Sequence, residues 1–74
     1  MIIEKITAET ELKSGDLLLI AIDTGVAAYT IKQILQLVGM REVILNRRKN
    51  TYFNLEMYLA GESWVKDARI VRAP

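Results

Sequence analysis

Residues 17–22 read Leu-Leu-Leu-Ile-Ala-Ile, the longest uninterrupted apolar run in this chain of 74 residues. Strands that are covered on both faces of a sheet carry apolar residues at consecutive positions, whereas half-exposed strands alternate. We therefore predict that residues 17–22 form a central strand with both faces buried. A membrane-spanning helix needs about 20 apolar residues, so the run predicts a soluble protein that does not enter a membrane.

Short strands are predicted on either side of this run, separated by turn signals such as residues 14–16, Ser-Gly-Asp. Residues 2–7 are rich in β-branched side chains, and residues 68–72 form a last short segment of the same kind. Residues 42–47 and 51–59 predict a β-hairpin, because apolar and polar residues alternate along the second segment.

The alternation also predicts the register of this hairpin. A three-residue loop over residues 48–50 pairs Leu45 with Phe53, whereas a two-residue loop would pair apolar with polar side chains. The three-residue loop places Asn50 in the left-handed conformation, which asparagine tolerates. We therefore predict the longer loop.

Residues 25–38 carry the pattern of an amphipathic helix. Asp23 or Thr24 can cap its N-terminus, and Gly39 stands where helices commonly end in a left-handed residue. Five apolar residues recur at helical spacing on one stripe: Ala28, Ile31, Ile34, Leu35 and Val38. Start, period and stop signals agree, so we predict a helix over residues 25–38.

These elements predict an α+β fold over a single domain, residues 1–74. We expect a small twisted antiparallel sheet or an SH3-like partial barrel of about five short strands, with one amphipathic helix packed on it. One helix covers only one face of the strand at residues 17–22, so another segment of the chain or a partner must cover the other face. Self-association commonly stabilises chains this small, and we expect a homo-oligomer or a protein partner.

Residues 12–18 read Leu-Lys-Ser-Gly-Asp-Leu-Leu. This stretch resembles segments that open strands in SH3-like barrels, with Gly-Asp followed by two apolar residues. The resemblance implies a tight turn at Gly15-Asp16 that feeds a buried strand. It supports the partial-barrel architecture.

Composition excludes several kinds of site. The chain has no Cys and no His, which removes disulfides, thiolate–metal sites and the usual general base near neutral pH. We find no phosphate, dinucleotide or calcium motif, and we expect no metal, no cofactor and no catalytic residue. The absence of Cys fits a reducing cytoplasm, where we expect the protein to reside.

The formal net charge is only +1, but the charges are unevenly distributed. Residues 1–25 hold five acidic and two basic residues, whereas residues 41–49 hold four basic residues and one acidic residue. Segments of opposite charge can pair within one chain or between chains. Ordinary surface charge is the simpler interpretation of this pattern.

Residues 20–26 read Ile-Ala-Ile-Asp-Thr-Gly-Val and resemble the active-site signature of retroviral-type aspartic proteases. The resemblance implies a catalytic Asp23, whose carboxyl group would share a proton with its twin across a dimer axis. The alternative interpretation is that Asp23-Thr24-Gly25 ends a strand and caps a helix. We take the protease only as a remote alternative to a protein that is not an enzyme.

Arg47, Arg48 and Lys49 precede Tyr52 and form a cluster of cations beside an aromatic side chain. Cations bind phosphates and aromatic rings stack on bases, so the hairpin tip at residues 47–53 predicts an alternative function in nucleic-acid binding. A solvated turn is the other interpretation.

The outer face of the predicted strand at residues 51–59 is the candidate contact surface for a protein partner. Tyrosine and tryptophan are enriched in binding hot spots, so Tyr52, Tyr58 and Trp64 are potential interface anchors. For Trp64 we favour the alternative interpretation that it closes the end of the sheet. We therefore predict a small non-enzymatic protein–protein interaction or assembly module of the kind found among phage, prophage and regulatory proteins. The predicted partner-binding residues are Arg47, Tyr52, Asn54, Glu56 and Tyr58.

Overall fold

The computed structural model describes residues 1–73, and within them the chain forms seven strands and one short helix. The fold is therefore mostly β, with more strands than the five or so predicted. Within the same residues, no helix has the length and apolar character needed to cross a membrane. The elements are β1 (Ile2–Lys5), β2 (Leu17–Ile22), β3 (Gly25–Thr30), β4 (Gln33–Leu37), β5 (Met40–Asn46), β6 (Thr51–Asn54), α1 (Leu55–Leu59) and β7 (Asp67–Arg72).

The strands form two antiparallel sheets that do not join into a closed barrel. The first sheet has the order β1-β7-β2-β3, and the second sheet has the order β4-β5-β6. β2 is an internal strand that pairs with β3 and β7, so the strand predicted at residues 17–22 is confirmed with the same bounds. β7 confirms the last predicted strand with one additional residue, Asp67.

Side chains from both sheets meet in one buried cluster. β2 and β7 contribute the inner residues of the first sheet, β5 and β6 those of the second, and α1 covers one end. Burying each such side chain contributes roughly 1.5–3 kcal/mol before the entropy cost of folding. The largest members are Phe53, Leu18, Ile20, Ile31, Leu45, Leu55 and Ile70.

The chain crosses from the first sheet to the second at Ile31 and Lys32. The Ile31 amide donates to the carbonyl of Asp16, and the Lys32 amide donates to the carbonyl of Ile44, each at 2.8 Å. These bonds satisfy the backbone at the crossing and tie it to both sheets. The buried Ile31 side chain therefore belongs to a strand-to-strand connection.

The predicted helix over residues 25–38 is wrong, because these residues form β3 and β4. Asp23 and Thr24 make a tight turn that pairs Ile22 with Gly25. Val38, expected on the buried stripe, is 99% exposed in the turn before β5. Residues that can cap a helix can also make a hairpin turn, and here the turn forms.

The predicted strand over residues 51–59 is correct only up to Asn54. The Asn54 side-chain oxygen accepts a hydrogen bond from the Met57 amide at 3.0 Å and caps α1. The helix then turns Leu55 and Tyr58, three residues apart, toward the core. Glu56 and Tyr58 therefore do not share a strand face with Tyr52.

β5 and β6 form the predicted hairpin in a different register. The predicted three-residue loop is wrong, because Asn46 pairs with Thr51 and four residues, 47–50, separate the strands. A β-bulge at Leu45 shifts the pairing by one more residue, so that Val43, rather than Leu45, pairs with Phe53. The bulge allows Val43 and Leu45 both to be buried. The predicted left-handed conformation of Asn50 is confirmed, with φ of 52°.

The prediction that both faces of β2 are buried is wrong within residues 1–73. Leu18 and Ile20 are almost fully buried on the inner face, whereas Leu17 on the outer face is 38% exposed. Leu19 on that outer face is half-buried. α1 packs against β5 and β6, so it does not cover β2.

Candidate functional site

The outer face of the second sheet carries large apolar side chains that the described chain leaves exposed or half-exposed. Paired residues in antiparallel strands share a face, and residues alternate along each strand, so the pairing defines this surface. Val43 and Phe53 point to the opposite side, into the core. We call the surface the second-sheet face; it comprises Gln33, Leu35, Leu37, Met40, Glu42, Ile44, Tyr52 and Asn54, with Met57 and Trp64 beside them.

Tyr52 and Trp64 are the aromatic residues of the second-sheet face. Tyr52 is 50% exposed and Trp64 is 45% exposed. The indole Nε1 of Trp64 donates a hydrogen bond to the carbonyl oxygen of Tyr52 at 2.9 Å. This bond holds the indole against β6, and a side chain that is already held in place loses less entropy on binding.

Tyr52 lies in the wall of three surface depressions of the described chain. One of about 200 Å³ lies beside Trp64 and Glu42. A second, of about 300 Å³, extends from Tyr52 toward Arg47. The third, of about 510 Å³, lies between Tyr52, Trp64 and Tyr29. Concave surface next to exposed aromatic side chains is where partners and ligands usually bind.

Glu42 is the acidic residue in the middle of the second-sheet face, between Leu35 and Asn54 on the neighbouring strands. Its Oε2 atom is buried and accepts no hydrogen bond from residues 1–73. A buried polar atom without a partner costs about 1–3 kcal/mol, and more when it is charged. Glu42 lines the depression beside Trp64, so this depression has a carboxylate that lacks an internal donor at one oxygen.

The cations of the hairpin tip lie at the other end of this surface. Arg47 lines the depression next to Tyr52, and its Nη2 donates to the neutral side chain of Gln33. Arg48 lines a different depression with Lys32, and Lys49 is exposed in the turn. The ion pairs within residues 1–73 involve none of these three tip cations.

Two predicted partner-binding residues also make contacts that stabilise the fold. Asn54 caps α1, as described above. Tyr58 is only 8% exposed, and its ring packs edge-to-face on Phe53 with centroids 6.1 Å apart. Its hydroxyl accepts a hydrogen bond from the Ala68 amide at 2.9 Å. Of the five predicted residues, Arg47, Tyr52 and Asn54 lie on or beside the second-sheet face, whereas Tyr58 is buried.

Glu56, also predicted as a contact residue, forms an internal ion pair. It accepts hydrogen bonds from the Arg41 amide at 2.6 Å and from Arg41 Nη2 at 2.8 Å, which ties α1 to β5. Burial raises the pKa of Glu56, but the hydrogen bonds and charge of Arg41 outweigh it and hold the pKa below its usual value. Glu56 therefore has a contact within the chain that stabilises the fold.

We call the outer face of the first sheet the first-sheet face. It is also partly apolar, but it differs from the second-sheet face in its charges and in its lack of aromatic residues. Lys5 lies 3.6 Å from Asp67, and Arg69 lies 3.0 Å from the same carboxylate, so these charges are paired within the chain. The paired positions of this face hold no aromatic side chain. Its apolar residues are Ile3, Leu17, Leu19, Ala21, Val26, Ala28 and Val71.

Asp23, the residue of the protease-like stretch, lies exposed in the turn between β2 and β3. Within the described residues, no group of three acidic side chains could hold a metal ion. The second-sheet face is the better candidate for a functional site, because it combines exposed aromatic side chains with concave surface.

Comparisons with protein-family models, with curated proteins and with solved structures found no match. The functional interpretation therefore depends on the geometry of the chain itself. Sequence reasoning did not identify Glu42, Ile44 and Met57 as site residues, and it gave Trp64 a closing role. The usable signal was the alternation in residues 42–45, which turns Glu42 and Ile44 to the same outer face.

Proposed function

We propose that this chain is a small non-enzymatic protein-interaction or assembly module that binds through the second-sheet face. The half-exposed pair of Tyr52 and Trp64 supports this proposal most strongly. Binding energy concentrates in such aromatic anchors, and Ile44 and Leu35 extend the apolar surface around them. Monomeric proteins rarely leave large contiguous apolar patches exposed, so a covered state is expected.

The experiment that tests this proposal compares the two outer faces. Tyr52→Ala should weaken association by about 1–2 kcal/mol, or about 5- to 30-fold, because it removes a hot-spot side chain. Ile3→Ala, on the first-sheet face, is the matched control and should leave association unchanged. Sedimentation velocity reports self-association, and retention on the immobilised chain reports other protein partners. If Tyr52→Ala changes neither readout, the proposal is wrong.

A second candidate function is the binding of single-stranded nucleic acid. Tyr29, Tyr52 and Trp64 line one depression, and Asn50 connects it to the basic hairpin tip. Aromatic rings there can stack on bases while cations contact phosphates. This candidate ranks second because the carboxylate of Glu42, which lines the adjoining depression, would repel a phosphate backbone.

Fluorescence polarisation with a labelled oligonucleotide tests the second candidate. Binding should fall steeply with added salt, and Tyr52→Phe, which keeps a stacking ring, should bind better than Tyr52→Ala. No binding at low salt would exclude this function.

We also propose that the two open sheets correspond to an SH3-like partial barrel. Gly15 has φ of 95°, and the Asp16 carboxylate accepts a hydrogen bond from the Lys13 amide at 3.0 Å. This tight turn directly precedes β2, as the resemblance of residues 12–18 implies. An experimental structure that superposes on such barrels would support the assignment, and one with a different strand connectivity would contradict it.

A further inference from the structure

We infer that the depression between Glu42, Tyr52 and Trp64 receives the Arg47 side chain of a second copy of this chain. Two copies then join symmetrically through the second-sheet face. This inference rests on the proposed function and specifies its partner.

The depression has the chemistry to bind a guanidinium group. Tyr52, Trp64 and Met57 form its walls, and the buried Glu42 Oε2 is an acceptor without a donor in the described chain. Glu62 lines the same depression, and none of the described residues around it is basic. A guanidinium donates to carboxylates and also stacks on aromatic faces, so it satisfies both features of the depression.

Arg47 is the cation that the structure places on the same surface. It lines the neighbouring depression, and its described hydrogen bond is to the neutral amide of Gln33. Arg47 precedes β6, whereas the acidic depression is lined by Asn54 at the other end of that strand. The three steps from residue 51 to residue 54 span about 10 Å of extended strand. Within one copy, the cation and the acidic depression are thus held at opposite ends of β6.

A second copy of the chain supplies both an Arg47 cation and an acidic depression. In a twofold contact the same patch lies on both partners, so residue i of one copy meets residue j of the other, and the reverse. An axis beside Ile44 and Tyr52, between the two ends, would bring each Arg47 to the other copy's Glu42. The contact would also bury Leu35 and Ile44 of both copies. A different protein would have to provide a cation and an acceptor independently.

Charge exchange between the two positions tests the contact in the full chain. In sedimentation velocity over a range of concentrations, the wild-type protein should dimerise. Glu42→Arg and Arg47→Glu should each weaken the dimer about tenfold or more, because like charges then face each other. An equimolar mixture of the two variants should restore association, since each copy's altered residue meets an opposite charge on its partner. The double variant E42R/R47E should dimerise for the same reason.

Two matched controls carry the same charge changes away from the contact. Arg48→Glu alters the neighbouring tip residue, and Glu11→Arg alters an exposed acid in the loop between β1 and β2. Both should dimerise within about threefold of wild type, as expected for charges outside a contact. Circular dichroism melting curves confirm that every variant is folded.

The outcomes separate this inference from the proposed function. Restoration in the mixture supports the Arg47–Glu42 contact. A dimer that Tyr52→Ala weakens but the charge changes do not would overturn the contact and leave the proposed function standing. A chain that stays monomeric but retains another protein through Tyr52 would also overturn only this inference. If no association of any kind depends on Tyr52, both are wrong.

Discussion

The two sheets each have a partly apolar outer face, but they differ in what remains unsatisfied. On the first-sheet face, the carboxylate of Asp67 lies between Lys5 and Arg69, and its charge is paired within the chain. On the second-sheet face, a buried oxygen of Glu42 has no donor in the described residues and lies beside half-exposed Trp64. We therefore base the proposed binding surface on the unpaired polar atom beside exposed aromatic side chains, and not on exposed apolar area alone.

The first-sheet face has a physical reason to remain half-buried without a partner. Lys5 and Arg69 lie across from each other on β1 and β7, and Leu19 is the next residue across on β2. Long basic side chains cover neighbouring apolar surface with their methylene stems while the charge stays in water. The apolar run of β2 thus needs less cover than six consecutive apolar residues suggest.

The largest expected effect is on association, which a variant on the second-sheet face should weaken and a variant on the first-sheet face should not. Trp64→Ala removes the indole and its hydrogen bond to Tyr52, and it should weaken association by about 2–4 kcal/mol, as truncation of a hot-spot residue does. Leu17→Ala on the first-sheet face should leave association unchanged. Isothermal titration or sedimentation equilibrium measures both. Equal losses for the two variants would mean that the faces do not differ as proposed.

A pair of tyrosines sharpens the distinction between core and surface. Tyr58→Phe leaves the buried Ala68 amide without its acceptor and should lower the free energy of unfolding by about 1–3 kcal/mol. Tyr52→Phe removes an exposed hydroxyl and should change it by less than about 0.5 kcal/mol. Urea denaturation of both variants gives the comparison. A larger loss for Tyr52→Phe would contradict the assignment of the two side chains.

The carboxylates of the two faces should respond with opposite signs. Glu42→Gln removes charge from an oxygen that lacks a donor, so it should stabilise the isolated chain by about 1 kcal/mol. Asp67→Asn weakens the pairing with Lys5 and Arg69 and should destabilise it by less than about 1 kcal/mol. Thermal melts at low protein concentration measure the difference. Destabilisation by Glu42→Gln would show that Glu42 already has a partner within the chain.

The smallest effect concerns the ion pair that supports α1 beside the second-sheet face. The pKa of Glu56 is lowered in the folded state, so its contribution is complete above the unfolded-state pKa. The contribution is then lost as the pH falls through the lowered pKa of the folded state. Glu56→Gln should therefore be less stable than wild type at neutral pH, by less than about 1 kcal/mol, and equally stable in strong acid. A pH-independent difference would contradict this role.

The parts of the fold that were predicted correctly are those whose residue pattern favours a single local structure. Leu17–Ile22 is continuous and apolar, which favours a strand in the interior of a sheet, and it is one. Asn50 is at the tip of a hairpin, where a residue that tolerates positive φ is needed, and it has positive φ. Each of these predictions used only the residue types within a few positions.

The parts that failed are those where two structures share one local pattern. Asp23 and Thr24 suit a helix cap as well as a hairpin turn, and the pairing of β3 with β2 decided between them. Asn54 suits an alternating strand as well as a helix cap, and burial of Tyr58 against Phe53 favoured the helix. In both cases the deciding energy comes from pairing or packing between adjacent segments, which the periodicity of a single segment does not contain.

The candidate site was only partly predictable for a related reason. Arg47 and Tyr52 were identified because basic and aromatic residues stood close together in the sequence. Glu42 joins them through the pairing of β5 with β6, whose register differs from the predicted one. Trp64 joins them through the hydrogen bond from its indole, which the sequence does not reveal. The site is therefore a product of the tertiary structure.

Association of two copies through the second-sheet face is tested most directly by a concentration series of ¹H–¹⁵N NMR spectra of the wild-type chain. Trp64 is the one tryptophan of the sequence, so its indole resonance is assigned without ambiguity. As the protein concentration rises, that resonance and the amides of Ile44 and Tyr52 should shift or broaden together, while those of Leu17 and Ala28 stay constant. Shifts confined to Leu17 and Ala28, with an unchanged indole resonance, would place the contact on the first-sheet face and contradict the claim.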